Sequence, residues 1–420
     1  MLQGPRSPHT GLPVIAAAAL DPYRRNVLVL ATAQALFFVA NTTMISTSAL
    51  VGLHLAPASW LATVPLGLQF LGTMASTVPA SFLMQRIGRR AGLRLGAAVG
   101  TAAGLLLAFA LREQSFALFA AASFLYGIFA AFSQYYRFAA ADAADVVEPE
   151  RRQAARARAI SLVMAGGLVA GAVGPQIARL TSELFPPYLF LGSYLAVAAV
   201  GALSFMVLGL LDMPPPPAAL RRGDGRPLFE IARSPGFATA VLAAVVGYVT
   251  MNLLMSATPL AMMACGHAFS ATAVVIQGHV VGMFLPSFVT GSLVARIGAP
   301  RVMLAGVLLN LGTVAIDLAG VDVEHFFAAL FVLGVGWNFM FIGGTTLLTQ
   351  CHTPEEKAKV QGFNDFLLFS AVTLSATTSG MLHDLLGWQA MNLLTLPGLL
   401  LVGALCVGML RRGTAESLSA

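Results

Sequence analysis

Thioether, thiol and imidazole groups gather between Met251 and Met283. Met251 and Met255 are spaced i,i+4, as are His279 and Met283, so on helices each pair stacks on one face, a turn apart. Between the pairs runs Met262-Met263-Ala264-Cys265-Gly266-His267. Thioether and thiolate donors select Cu(I), whereas imidazole also accepts Cu(II) and zinc. Hard cations want oxygen ligands, and no apolar span supplies a carboxylate cluster. The stretch reads as a candidate metal ladder of Met251, Met255, His279, Met283 and Cys265, with Met262, Met263 and His267 as accessory donors. Methionine is also ordinary apolar filler, and the chain has 17 of them, so packing is an equal reading of the same spacing.

The elements that must hold these residues follow from composition. Hydrophobic residues make up 57% of the chain and charged ones 10%, with a mean hydropathy of +0.80. Soluble domains carry about 25% charged residues, so this is a membrane protein. Its 420 residues accommodate roughly twelve helical spans. Apolar runs fall at 26–53, 58–83, 91–111, 115–141, 157–180 and 187–211, then at 237–258, 270–294, 301–319, 325–350, 361–384 and 388–410. Pro259 is expected to break the helix of the seventh run. The interval 212–236 carries four consecutive prolines, Pro214 to Pro217, then Arg221, Arg222, Arg226 and Arg233, and reads as a linker. The expected organisation is a tail at 1–25, a six-helix half at 26–211, the linker at 212–236, a second half at 237–410 and a tail at 411–420. The apolar residues after Gly11 run into Asp21 and Arg24-Arg25, which fits a cytoplasmic tail rather than a cleaved signal.

The net charge of +6 is an orientation signal, not a nucleic-acid one. With the N-terminus in the cytoplasm, all but Arg112, Arg137 and Arg179 of the 24 lysines and arginines fall at cytoplasmic ends or loops. Both termini and the linker are then cytoplasmic. In that orientation the soft donors descend from the outer rim (Met262, Met263, Cys265, His267) through Met255 and Met251 to His279 and Met283. Among Met251, Met255, His279 and Met283, His279 is the member that a proton can switch near neutral pH. The 3 cysteines are too few and scattered for a disulfide framework.

The halves repeat. Gln85-Arg86-Ile87-Gly88-Arg89-Arg90 is matched by Ala295-Arg296-Ile297-Gly298-Ala299-Pro300-Arg301, and Glu148-Pro149-Glu150-Arg151-Arg152 by Thr353-Pro354-Glu355-Glu356-Lys357. Two parallel six-helix halves with this Arg-x-Gly-Arg-Arg loop resemble the major facilitator superfamily. The resemblance implies an all-α membrane protein of twelve transmembrane helices in two pseudo-symmetric halves, working by alternating access. The acidic residue usual in that loop is Gln85 here, so a gate ion pair does not carry over directly. Met-x-x-x-Met in the seventh span and His-x-x-x-Met in the eighth resemble the CcoA-type copper importers. That resemblance implies a copper importer of the bacterial inner membrane supplying cbb3-type cytochrome oxidase assembly. Copper is then the transported substrate, with a cytoplasmic or membrane copper acceptor as partner.

Other features point elsewhere. Gly166, Gly167, Gly171 and Gly174 with Pro175 partly resemble a drug–proton antiporter motif, or simply allow close helix approach. Arg137 is expected to pair with Asp142 or Asp145. Asn41, Thr42, Thr43, Asn338, Asn364 and Asp365 are cavity-lining candidates, or equally interhelical hydrogen bonds. Cys351-His352 is a weaker candidate for passing metal onward. No Walker loop, catalytic triad or HExxH occurs, so no enzyme is expected. Two rival readings stand: a facilitator moving a small organic solute or drug, and a copper sensor that moves nothing.

Overall fold

The computed structural model describes residues 21–419 apart from 59–60, 62–63 and 216–224. The expected leading tail therefore lies almost wholly outside the described residues. In chain order the helices are α1 (Pro22–Leu55), α2 (Val64–Ile87), α3 (Arg89–Arg112), α4 (Phe116–Ser133), α5 (Tyr136–Ala143), α6 (Pro149–Ala165), α7 (Gly167–Thr181) and α8 (Leu191–Leu208). The short α9 (Leu228–Ala232) lies inside the expected linker, and then come α10 (Pro235–Ala264), α11 (Phe269–Phe284), α12 (Ser287–Ile297), α13 (Ala299–Ala319), α14 (Val323–Leu348) and α15 (Lys357–Ser419). Among the described residues, 10 helical segments are long and apolar enough to cross a membrane. The fifth and eleventh expected spans are helical too, but fall short of that measure for local reasons. The fifth opens on Arg151, Arg152, Arg156 and Arg158 and is divided between α6 and α7 at Gly166. The eleventh carries Lys357, Lys359 and Asp365 and is continuous with the twelfth except at Gly387, where φ is 77°.

The repeat seen in sequence is also a repeat of backbone. Gly88 and Gly298 have φ of 87° and 86°, a left-handed region that a Cβ disfavours, and both turn the chain directly into the next helix. Each also donates its N–H back to the carbonyl four residues earlier, Met84 and Val294, at 2.9 Å. The linker rejoins helix at Ser234, whose hydroxyl caps α10 ahead of Pro235 at its first turn.

Between the halves, α2 lies along α15 and α6 along α12. The second contact is close because Gly291 has no side chain: a Cβ there would sit 2.5 Å from the Ala157 carbonyl oxygen. Gly167 and Gly171 similarly receive Phe284 and Val280 from the other half, the close-approach reading of that glycine series.

One local expectation fails. Pro259 does not break α10, which continues to Ala264. Prolines are tolerated inside membrane helices because neighbouring groups re-satisfy the freed carbonyl. Met262 and Met263 therefore stand on a helix, not in a loop.

Candidate substrate site between the halves

Six aromatic rings from both halves meet near mid-depth. Trp337 and Phe341, four residues apart on α14, stack with centroids 5.1 Å apart and planes at 10°. Tyr248 of α10 meets both edge-on, at 5.4 and 5.6 Å, and reaches Phe369 of α15 at 6.4 Å. Phe284 of α11 packs on Trp337 at 5.9 Å and, across the interface, on Phe38 of α1 at 5.1 Å. Phe38 and Tyr248 are half-buried; the other four are buried. At about 1.5 Å per residue, Trp337 lies roughly 16 Å from the end of α14 and Tyr248 roughly 20 Å from the start of α10. Both positions are near the middle of a hydrocarbon layer about 30 Å thick.

Two buried polar groups have spare capacity, one on α2 and one on a ring of this set. On α2, Gln69 donates to the Asn41 side-chain oxygen at 2.9 Å, while its own Oε1 is buried without a partner. The Trp337 indole N–H is likewise buried and unpartnered. Buried polar atoms are normally hydrogen-bonded, and orphans mark places where a ligand or water completes the set. Phe38 and Tyr248 are the rings of the set that keep some exposure, and the indole N–H of Trp337 is its unused donor.

A charged layer closes the arginine-rich end. Arg89, just past the Gly88 turn, holds Asp142 at 2.9 Å and Gln361 of the opposite half at 2.6 Å. Lys357 reaches Asp142 at 2.8 Å, Ser81 donates to the Ala358 carbonyl at 2.9 Å, and Gln85 to that of Glu355 at 3.3 Å. The linker joins in: Arg226 grips Glu356 through its backbone N–H and two guanidinium nitrogens at 2.9–3.0 Å. That grip holds the Glu356 carboxyl down at about 2, far below the ordinary carboxylate range. A cavity of about 280 Å³ lined by Asn26, Met84, Arg89, Asp142, Asp212 and Lys357 lies on the linker side of this layer.

Deeper, Arg137 and Asp365 form a fully buried ion pair between the halves. This corrects the expected pairing of Arg137 with Asp142 or Asp145, which instead hold Arg89 and Arg156. Asn338 and Thr43 take the interhelical reading: Asn338 donates to the Met283 carbonyl and Ser287 hydroxyl at 2.7 and 2.6 Å, and Thr43 to the Gly174 carbonyl at 3.1 Å.

The soft donors are distributed rather than gathered. Met251, Met262 and Met283 are buried in the apolar cluster that contains Trp337 and Phe341, and Met255 packs at its edge. Met263, by contrast, is 69% exposed. Cys265 is exposed beyond the end of α10, beside Gly266 at φ 81°. The His267 ring is engaged at 2.7 Å with the Val321 carbonyl, and the His279 Nδ1 at 2.7 Å with that of Leu330. Burial pushes the Cys351 thiol up to about 11, which leaves it without thiolate character as a metal relay. Among the described residues, no three histidine, cysteine, aspartate or glutamate side chains are grouped to hold a metal ion.

Sequence reasoning missed Trp337, Phe341, Tyr248 and Gln69. The i,i+4 spacing of Trp337 and Phe341 was the available signal, the same rule that selected Met251 and Met255. The rings on α1, α10, α11 and α15 join them only through packing.

Comparison with known proteins bears on the same question. The family model of the Major Facilitator Superfamily matches residues 27–285 and 240–419. The chain is 43% identical over 384 residues to the riboflavin transporter RfnT of Brucella anthropi, covering 90% of this chain and 94% of that one. In structure it is similar to the transporter FucP in the outward conformation, with a TM-score of 0.74 at 16% identity over 92% of this chain and 99% of that one. It is also similar to the human organic anion transporter MFSD10, with a TM-score of 0.75 at 14% identity over 92% and 100% of the two chains. The relative named for riboflavin overturns copper as the transported substrate, and with it the copper acceptor, the CcoA-type resemblance and the link to cytochrome oxidase assembly. In these short spacings the methionines pack in or against an apolar cluster, and the His279 Nδ1 meets the Leu330 carbonyl.

Proposed function

Because the chain belongs to the Major Facilitator Superfamily, a family of transporters and not of enzymes, we propose that it carries riboflavin, or a closely similar flat heterocycle, between its two halves by alternating access. The observation that carries this reading is the ring set of Tyr248, Trp337, Phe341, Phe284 and Phe38, accompanied by the open donor of Trp337 and acceptor of Gln69. Stacking on such faces is worth about 1–3 kcal/mol per ring, enough to select a planar substrate over a sugar or a bare ion. The 43% identical relative named for riboflavin supports the same substrate class.

The membrane is the bacterial inner membrane, with both termini and the 212–236 linker on the cytoplasmic side; the support is the crowding of lysine and arginine at one end of the helices. In that orientation the arginine-rich layer closes the cytoplasmic face, so the halves stand closed inward. The units that rock are 26–211 and 237–410. Met251, Met255 and Met283 serve as the apolar floor behind the rings.

Purified protein in liposomes tests this by exchange of internal unlabelled for external labelled riboflavin. Exchange is expected in the wild type and, at limiting substrate, to fall by at least tenfold in Trp337→Ala. Wild-type protein that binds and exchanges no riboflavin would overturn the reading.

A further inference from the structure

The Arg137–Asp365 pair lies deeper than the charged layer and is not needed to explain stacking of a flat solute. Its surroundings are specific. Asp365 accepts from Arg137 of the opposite half and from Asn364 at 2.8 Å, both on Oδ1; its Oδ2 is buried with no partner. Arg137 is tethered at 2.8 Å to the Gln134 carbonyl and packs its guanidinium over two rings, Phe138 at 4.6 Å and Phe341 at 4.9 Å. Phe341 is the ring stacked on Trp337, so the pair touches the edge of the proposed substrate platform. The charged and titratable groups that face Asp365 are Arg137 and Arg89 from the amino half, Tyr135 beside them, and Tyr248 from α10.

A carboxylate bonded through one oxygen only, fully buried and opposed by a single arginine, has one open place for a proton. We propose that Asp365 is a proton-binding site that couples proton movement to opening of the arginine-rich end. Hydronium gives a proton to Oδ2 and departs as water, the carboxylate charge goes from −1 to 0, and the Arg137 bond to Oδ1 loses its ion-pair character and remains as a weaker hydrogen bond to a neutral acid. Arg137 keeps its charge but no longer has a counter-charge in a buried position, which disfavours the closed arrangement of the halves. The other ties between the halves at that end, Arg89 to Gln361, Lys357 to Asp142, Ser81 to the Ala358 carbonyl and Gln85 to that of Glu355, are then left to hold the closed arrangement without this pair.

This reaches beyond the flavin reading and its first test needs no substrate. Spin labels are placed at Arg86→Cys and Thr353→Cys, exposed positions on opposite halves of the arginine-rich end, with Cys265, Cys351 and Cys406 replaced by serine. His352, a half-buried imidazole near this layer, is replaced by glutamine throughout so that it does not titrate. With Asp365 intact, the distance distribution is expected to be short at pH 8 and to gain a longer population, at least severalfold larger, at pH 5. Asp365→Asn is expected to show the longer population at both pH values, and Asp365→Glu to keep the pH response. Distances that ignore pH with Asp365 intact, or that respond equally in Asp365→Asn, overturn the proposal. The second arm rests on the flavin reading: in liposomes, Asp365→Asn is expected to keep riboflavin exchange within about threefold while losing accumulation driven by a proton gradient by tenfold or more. Riboflavin exchange absent from the wild type sinks the flavin reading alone, because the distance measurement still decides the role of Asp365.

Discussion

At Gly88 and at Gly298 the backbone makes the same turn, with φ within a degree and the same hydrogen bond four residues back. The side chains just past the two turns do different things. Arg89 projects to Asp142 and across to Gln361, whereas its counterpart Ala299 is buried where α13 packs on α14. Arg301, the nearest cation after the second turn, donates to the Ile297 carbonyl of its own half at 2.9 Å. Duplication preserved the turn because glycine geometry is a property of the backbone. The gate ties come from other places: Arg89 and Arg137 of the amino half meet Gln361 and Asp365, and Lys357 at the start of α15 returns a cation to Asp142. The carboxyl half makes its cationic contact from α15 and not from its glycine turn, which leaves that turn to packing.

This asymmetry can be broken at several points. The largest effect is expected from Arg137→Ala, which strands Asp365 as a buried charge and lowers unfolding stability by about 3–5 kcal/mol. Thermal unfolding in detergent reads it, and the double change Arg137→Leu with Asp365→Leu should recover most of the loss. Next comes Arg89→Ala, expected to lose about 1.5–3 kcal/mol of inter-half tie and to shift the closed population in the spin-label distances. Arg301→Ala is its control and should stay within about 0.5 kcal/mol of wild type; equal effects of the two would erase the asymmetry. Gly88→Ala and Gly298→Ala should both lose about 1–2 kcal/mol, because the left-handed strain is the same at each. Only Gly88→Ala is expected also to disturb transport.

The smallest effect is a pH dependence at the linker. Glu356 titrates at about 2 in the folded protein, below the unfolded value of about 4.3. Its contribution is therefore complete above about pH 4.3 and disappears as pH falls toward 2. The stability difference between wild type and Arg226→Ala should be flat from pH 5 to 8 and shrink only in acid. A difference that changes near neutrality would mean that another group holds the linker.

Much of the fold was legible because it is local. Apolar run length set the helices, four prolines marked the linker, and the Arg-Ile-Gly repeat marked both turns. Pro259 was misread because a membrane helix can carry a proline that its neighbours compensate. The Met251/Met255 and His279/Met283 spacings were legible, and in the fold Met251 and Met283 lie in an apolar cluster with Met255 packed against it.

The partner of Arg137 was not legible. Asp142 and Asp145 are a few residues away in the chain, and Asp365 is 228 residues away. Choosing among them depends on how two halves dock, which no local pattern encodes. The ring set is similar: Trp337 and Phe341 share a face by sequence spacing, while Tyr248, Phe284 and Phe38 reach them only through packing. Sequence alone therefore determined a membrane protein of paired six-helix halves and its two glycine turns, because hydrophobic length and backbone strain act within a few residues. Tertiary structure alone decided which charges meet and which rings face each other, because burial makes a pairing strong only between groups that the fold has brought into contact.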